Sequence, residues 1–188
     1  MEASEKIKKY FENLEKEITS CYAVSTKARK EGYDPEPEVN IPVAKSIAQR
    51  VEGLISAVSP QILKSGVAQR IEKLEKEHGV LDWRVALKIA EEVAKQKFCK
   101  FKDTREAMEV GIRVGLAYIT LGVIAAPLEG FIELKIKKTK TTGKEYLSCF
   151  FAGPIRAAGG TAEAVTIVIA DYIEKRWGTR NTTQMKQR

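Results

Sequence analysis

The residues with the most chemistry to offer lie in one run, Gly153-Pro154-Ile155-Arg156-Ala157-Ala158-Gly159-Gly160-Thr161. It follows an alternating, strand-like pattern and leads into a helical one. Glycines at 153, 159 and 160 leave backbone N–H groups uncrowded, and free N–H groups at a helix N-terminus attract an anion. Arg156 adds a guanidinium whose planar fork suits phosphate oxygens. The run is not a Walker loop, because no Gly-Lys-Ser/Thr follows, and it is not G-x-G-x-x-G. Arg156, Gly159, Gly160 and Thr161 therefore form a candidate phosphate site. The same residues also describe a tight strand-to-helix turn, with glycines at positive φ and Arg156 paired to a nearby carboxylate.

Just upstream, Lys137, Lys138, Lys140 and Lys144 surround a turn between two alternating runs. They could form a finger for a nucleic-acid backbone, or guard an exposed strand edge against aggregation. The charge distribution bears on that choice. The chain has 32 Lys and Arg against 25 Asp and Glu, a net +7. Residues 133–188 alone hold 11 basic and 5 acidic side chains, so nearly all the excess sits in the last third. An acidic partner would be expected to meet that end.

Other reactive side chains are scattered. Glu133, Glu145, Glu163 and Asp171 are spread over strands and a helix, so no two-metal cluster is expected and no metal ligand is assigned. The single histidine, His78, precedes Gly79 and reads as a helix end. With one histidine and no nucleophile beside it, triad chemistry is not indicated, and no catalytic residue is assigned. Cys21, Cys99 and Cys149 are odd in number and far apart, which fits buried or half-buried thiols in a reducing cytoplasm rather than a disulfide framework. Trp83 and Trp177 read as anchors near helix ends.

The elements that would position these groups follow from periodicity. Ile7, Phe11, Leu14, Ile18 and Tyr22 predict an amphipathic helix over residues 5–31, stopped by Gly32. Asp34-Pro35-Glu36-Pro37 reads as an extended linker. Asn40 is expected to cap a second helix with Pro42 in its first turn and Val43, Ile47, Val51, Leu54 and Val58 along one face. A third helix, with Val67, Ile71 and Leu74 inward, runs to His78. A fourth starts near Asp82 with Val85, Ile89 and Val93 inward. A fifth starts at Asp103, with Glu106 completing a capping box, and ends at Gly122. Gly111 and Gly115 on that helix imply close approach of another helix. Ile132, Leu134 and Ile136 are expected on one face of a strand, 139–144 in a turn, and Leu147, Cys149 and Phe151 on one face of a second strand. A sixth helix begins near Thr161 and stops at Gly178.

The expected fold is α+β: a mainly helical N-terminal region, then a β-hairpin, a Gly-rich loop and a helix. The expected divisions are an association helix over 1–31, a helical domain over 40–122, a hairpin–loop–helix unit over 123–178, and a disordered basic tail over 179–188. A lone hairpin is marginal in water. It must pack on the helices or be completed by strands from elsewhere, so the chain reads as part of something larger. No apolar run reaches the roughly 18 residues of a membrane span, and the N-terminus lacks a signal-peptide pattern.

Four stretches carry a family resemblance: Ala126-Pro127-Leu128-Glu129-Gly130, Lys135-Ile136-Lys137, Glu145-Tyr146-Leu147 and Ala152 through Thr161. With Ile41-Pro42, Arg50-Val51-Glu52 and Gly66 through Ile71, they resemble the N-terminal part of the large subunit of archaeal D-family DNA polymerase, over about residues 5–178. The tail from Thr179 looks like a departure from that family. The resemblance implies a two-subunit replicative enzyme whose large subunit synthesises DNA and whose small subunit carries a proofreading nuclease. It further implies a polymerase centre with divalent metal, Mg, far downstream of the matching positions. The implied partners are DNA, the small subunit and the remainder of the large subunit. The alternatives are a purely structural interaction module and a domain binding a small phosphorylated ligand.

Overall fold

The computed structural model describes residues 4–33, 44–153 and 160–177, together with the backbone of 184–187. The chain divides into two compact units, Met1–Val43 and Ala44–Arg188. In the first, helix α1 spans Glu5–Lys30. Gly32, at φ 84°, supplies the left-handed stop, with its N–H bonded to the Arg29 carbonyl and the Tyr33 N–H to that of Ala28. No residue of α1 is buried, although its apolar positions keep the expected three-four spacing.

The second unit begins with α2 (Ile47–Ser56), α3 (Val67–His78), α4 (Trp83–Ala94) and α5 (Thr104–Ile119). The start of α2 differs from the expectation. Asn40 and Pro42 lie outside the described residues, and the cap is Ser46, whose hydroxyl accepts the Gln49 N–H at 3.2 Å. Its inner face is also rotated, to Ala48, Val51, Glu52 and Ile55, while Val58 is exposed. The rotation has a polar cause. The Glu52 carboxylate accepts the Lys64 N–H at 2.8 Å and the Ala68 N–H at 2.9 Å, capping the first turn of α3 from a neighbouring helix.

The other helices follow the expected pattern. Val67, Ile71, Leu74, Val85, Ile89 and Val93 are buried. Asp103 accepts the Glu106 N–H at 2.7 Å, and the Glu106 carboxylate reaches back to the Lys102 N–H. The two glycines of α5 explain its closeness to α4. A Cβ at Gly111 would lie 2.6 Å from the Ala90 carbonyl oxygen, and one at Gly115 would lie 2.9 Å from that of Ala86.

A short wide-turn helical segment, Ala125–Gly130, leads into β1 (Phe131–Lys138), which pairs antiparallel with β2 (Glu145–Phe151). The turn lies at 139–144 as expected, with Gly143 at φ 68°. A bulge between Phe131 and Glu133 corrects the expected face of β1. The extra residue takes Ile132 off the inner face, so Phe131 and Leu134 are buried and Ile132 is exposed, while Leu134 and Ile136 share a face as expected, opposite Cys149 and Leu147, with Ile136 exposed at its far end. Helix α6 (Thr161–Trp177) follows, with Ile169, Ala170 and Ile173 inward and Val168 in solvent.

The sheet has three strands, in the order β1-β2-β3, where β3 (Gln184–Gln187) runs parallel to β2. The Gln-Met-Lys-Gln sequence shows no alternating apolar pattern, and what places it in the sheet is its backbone register with β2, Ser148 opposite Gln184 through Phe151 opposite Gln187. The helices and the hairpin, set apart at 122/123 in the sequence reading, meet in one core: Leu87, Ile112 and Leu116 pack with Phe131, Leu134, Leu147 and Ile169. The α+β class is as expected. Among the described residues, no helix is long and apolar enough to cross a membrane.

Candidate nucleic-acid interface

A strand edge facing α5 fixes the hairpin. Arg105, Glu109 and Arg113 recur every four residues along one face of that helix. Arg113 is 5% exposed; it donates to the carbonyls of Pro127 and Phe131 through one nitrogen, and to the Ile132 carbonyl and the Glu109 carboxylate through the other. The Glu109 carboxylate in turn accepts the Leu134 N–H at 3.0 Å. The free edge of β1 is thus satisfied by side chains rather than by another strand.

On the outer face of the hairpin, the Lys135 and Lys137 ammonium groups lie 4.9 and 4.7 Å from the centroid of the Phe150 ring. The ring buries their alkyl stems and its negative face attracts both charges. Lys135 also pairs with Glu133 at 2.8 Å. Lys138 belongs to the opposite face and faces Glu145 across the strands, 3.8 Å away. Lys140 and Lys144 sit exposed on the turn. The structure therefore brings Lys137, Lys138, Lys140 and Lys144 to one end of the hairpin, but not onto one face. Sequence reading passed over Lys135 as a member of this group. Its signal is the alternation of Lys135 and Lys137 opposite an aromatic strand, readable only once the register sets Phe150 on their face, across from Glu133.

Arg156 and Gly159 lie outside the described residues. Gly160 (φ 72°) and Thr161 are described and open α6, with the Ala164 N–H bonded to the Gly160 carbonyl. They are remote from the lysines. Helix α6 runs antiparallel to α5, placing Ile169 beside Gly115 and Trp177 beside Thr104 and Met108. Its N-terminus thus lies toward the base of the hairpin, about 20 Å of strand from the basic turn. The first turn of α6 also carries Glu163, a buried carboxylate that opposes an anion there.

The remaining polar groups are structural in placement. Asp171 pairs with Lys175 at 2.6 Å, and Arg176 stacks 4.9 Å over Tyr172. Cys149 is buried in β2; burial, then the Glu174 and Glu109 charges, push its thiol up to about 12. Cys99 is half-buried, whereas Cys21 is exposed. Among the described residues, no group of three or more His, Cys, Asp or Glu side chains is arranged to hold a metal.

Residues 9–187 match the family described as "DNA polymerase II large subunit DP2, N-terminal". The match includes the tail that looked like a departure. The chain is 46% identical over 169 residues to a protein named DNA polymerase II large subunit from Nanoarchaeum equitans, covering 90% of this chain and 14% of that protein. Proteins of the same name are 41% identical in Pyrococcus furiosus, over 95% of this chain and 14% of the relative, and 40% identical in Thermococcus kodakarensis, over 93% and 9%. The chain therefore spans a seventh or less of the length of these relatives. By the extent of that match, it belongs to the family formed by the N-terminal region of the archaeal DNA polymerase II large subunit.

Proposed function

We propose that this chain is the N-terminal module of the large subunit of a two-subunit, D-family replicative polymerase, where it contacts the DNA backbone and contributes to subunit assembly. Template-directed synthesis, its divalent metal and the proofreading nuclease would belong to the whole enzyme; the small subunit and the rest of the large subunit are the proposed protein partners. The observation that carries the DNA reading is the basic hairpin. Two lysines are held over Phe150, and three more lie around the turn, in a region whose family is a polymerase subunit. Phosphate contacts of this kind read no base sequence. Assembly is assigned to α1, whose Ile7–Phe11–Leu14–Ile18–Tyr22 stripe includes no buried residue.

The Gly160–Thr161 turn, with Arg156, is a weaker second phosphate contact, because Glu163 stands in the same helical turn. A specific observation also favours the structural alternative: Glu133 and Glu145 neutralise part of the hairpin charge.

Salt-dependent binding of a duplex and a single strand to the chain decides between them. Replacing Lys137, Lys138, Lys140 and Lys144 with Gln should weaken binding on unrelated sequences. It should also flatten the log–log salt dependence by about one unit for each lysine that meets a phosphate. An unchanged salt slope with an intact fold would leave the structural module standing.

A further inference from the structure

Loop 79–82, the first residue of α4 and the segment that follows α5 leave six large apolar side chains in solvent: Val80, Leu81, Trp83, Leu121, Val123 and Ile124, with Val80 at 66% and Trp83 at 63% exposure. They share one end of the α4–α5 pair. Gly115 abuts Ala86, and the Leu81 N–H donates to the Tyr118 hydroxyl at 2.8 Å, so the start of α4 lies beside the end of α5. Clustered exposed apolar residues on a folded domain mark interaction sites, unlike single scattered ones.

Backbone conformation sharpens this. Leu81 and Leu121 both have left-handed backbones, at φ 61° and 59°. That conformation strains an L side chain, and glycine would remove the strain. The neighbouring Gly79 and Gly122 do adopt positive φ. The other side chains at positive φ among the described residues, Lys64 and Gln96, are polar. Tyr118 holds both leucines in place. Its hydroxyl accepts from Leu81, its carbonyl accepts the Leu121 N–H at 3.2 Å, and the hydroxyl donates to Glu75 at 2.9 Å. The fold thus accepts backbone strain twice to keep leucine side chains in water.

Around Leu121 the charge beside the patch is basic, while Asp82 on the other half is held by Arg84 at 2.7 Å, and the basic side selects the occupant. A groove lined by Ala44, Ile47 and Leu121 also carries Lys45 and Arg50. The Arg50 side chain lies across Gly122, with its Nε 3.4 Å from that carbonyl oxygen. We propose that this end of the α4–α5 pair is a docking surface for an amphipathic protein segment whose apolar face is flanked by carboxylates. The proposal is independent of the DNA reading, since the patch involves none of the hairpin lysines.

The test uses the 188-residue chain and two fluorescein-labelled helical peptides, each about 16 residues long, enough for about four turns. Both carry leucines at three-four spacing, one flanked by glutamates and its twin by lysines. The acidic peptide should bind about tenfold or more tightly than the twin, the scale of electrostatic discrimination by a few charges. Leu121→Gly relieves the positive φ, so it should leave the melting temperature unchanged or raised. It should weaken the acidic peptide about tenfold, the scale of one buried leucine side chain. Arg50→Glu should reverse the preference. Equal binding of both peptides, or unchanged affinity in a folded Leu121→Gly chain, overturns the proposal. So does a concentration-dependent dimer in sedimentation that Leu121→Gly abolishes, because the occupant is then a second copy.

Discussion

The Glu109 carboxylate accepts the Leu134 backbone N–H at 3.0 Å, so a helix side chain stands where a neighbouring strand would otherwise be. The same carboxylate neutralises the buried Arg113 guanidinium at 2.9 Å. Glu109→Ala should therefore do more than delete one hydrogen bond, because it strands a buried cation and an edge N–H. A destabilisation of about 2–4 kcal/mol in urea unfolding is expected. Hydrogen exchange should show early loss of protection at Leu134. Protection equal to wild type would contradict the edge-clamp role.

Glycine substitutions should split by location. Gly111→Ala places a Cβ 2.6 Å from the Ala90 carbonyl and should destabilise by about 1–3 kcal/mol through overpacking. Gly53→Ala, inside α2 with nothing within 4 Å of the added atom, should instead stabilise by about 0.5–1 kcal/mol through helix propensity. Thermal melts of the two single variants check both signs.

Acid sensitivity should trace to Glu92. Burial pushes its carboxyl up, but hydrogen bonding and charge from Arg70, at 2.7 and 3.0 Å, together with Lys97, outweigh burial and hold it below the ordinary value. A carboxyl depressed in the folded state contributes stability above its unfolded pKa, near about 4.3, and loses it as pH falls through the folded value. Melting temperature should fall below about pH 4.5 as this pair is protonated. Arg70→Met should cost about 2 kcal/mol at about pH 7, discounted for the partial exposure of Arg70, and should shrink the acid-dependent loss. An acid limb identical to wild type would argue against Glu92 as its source.

Thiol reactivity should be ordered by burial. Cys21 is exposed and should react with a disulfide reagent at the rate of a free thiol, while Cys149 should react only on unfolding. Mass spectrometry of briefly labelled native chain should find the label on Cys21 and none on Cys149.

Local signals were the legible part of this fold. The Asp103–Glu106 cap, the Gly32 stop, the 139–144 turn and the Gly111/Gly115 contact each depend on residues within a few positions of one another, or on one residue type with one geometric use. Long-range polar demands were not legible. Glu52 turns inward because two N–H groups 12 and 16 residues away require an acceptor, and nothing near Glu52 announces that. The β1 face was hidden for a similar reason: Ile132 fits an alternating pattern, and only the pairing with β2 and the Arg113 anchor reveals the extra residue. For the candidate site, the lysines were legible as a cluster but not their partition between faces. Their distance from Gly160 depends on the direction of α6, which periodicity does not encode.

The bulge in β1 has a consequence for inheritance. Arg113 grips the carbonyls of residues 127, 131 and 132 from a fixed point on α5, so the number of residues from that grip to the lysines is counted by the fold. A one-residue deletion between 128 and 137 would either break the grip or send Lys135 and Lys137 to the opposite side of the sheet. The turn at 139–144 carries no such count, because its hydrogen bonds are internal to it. Length variation among members of the family should therefore gather at that turn, where a longer or shorter finger can arise without disturbing the frame, while the stretch before it drifts in composition but keeps its number of residues.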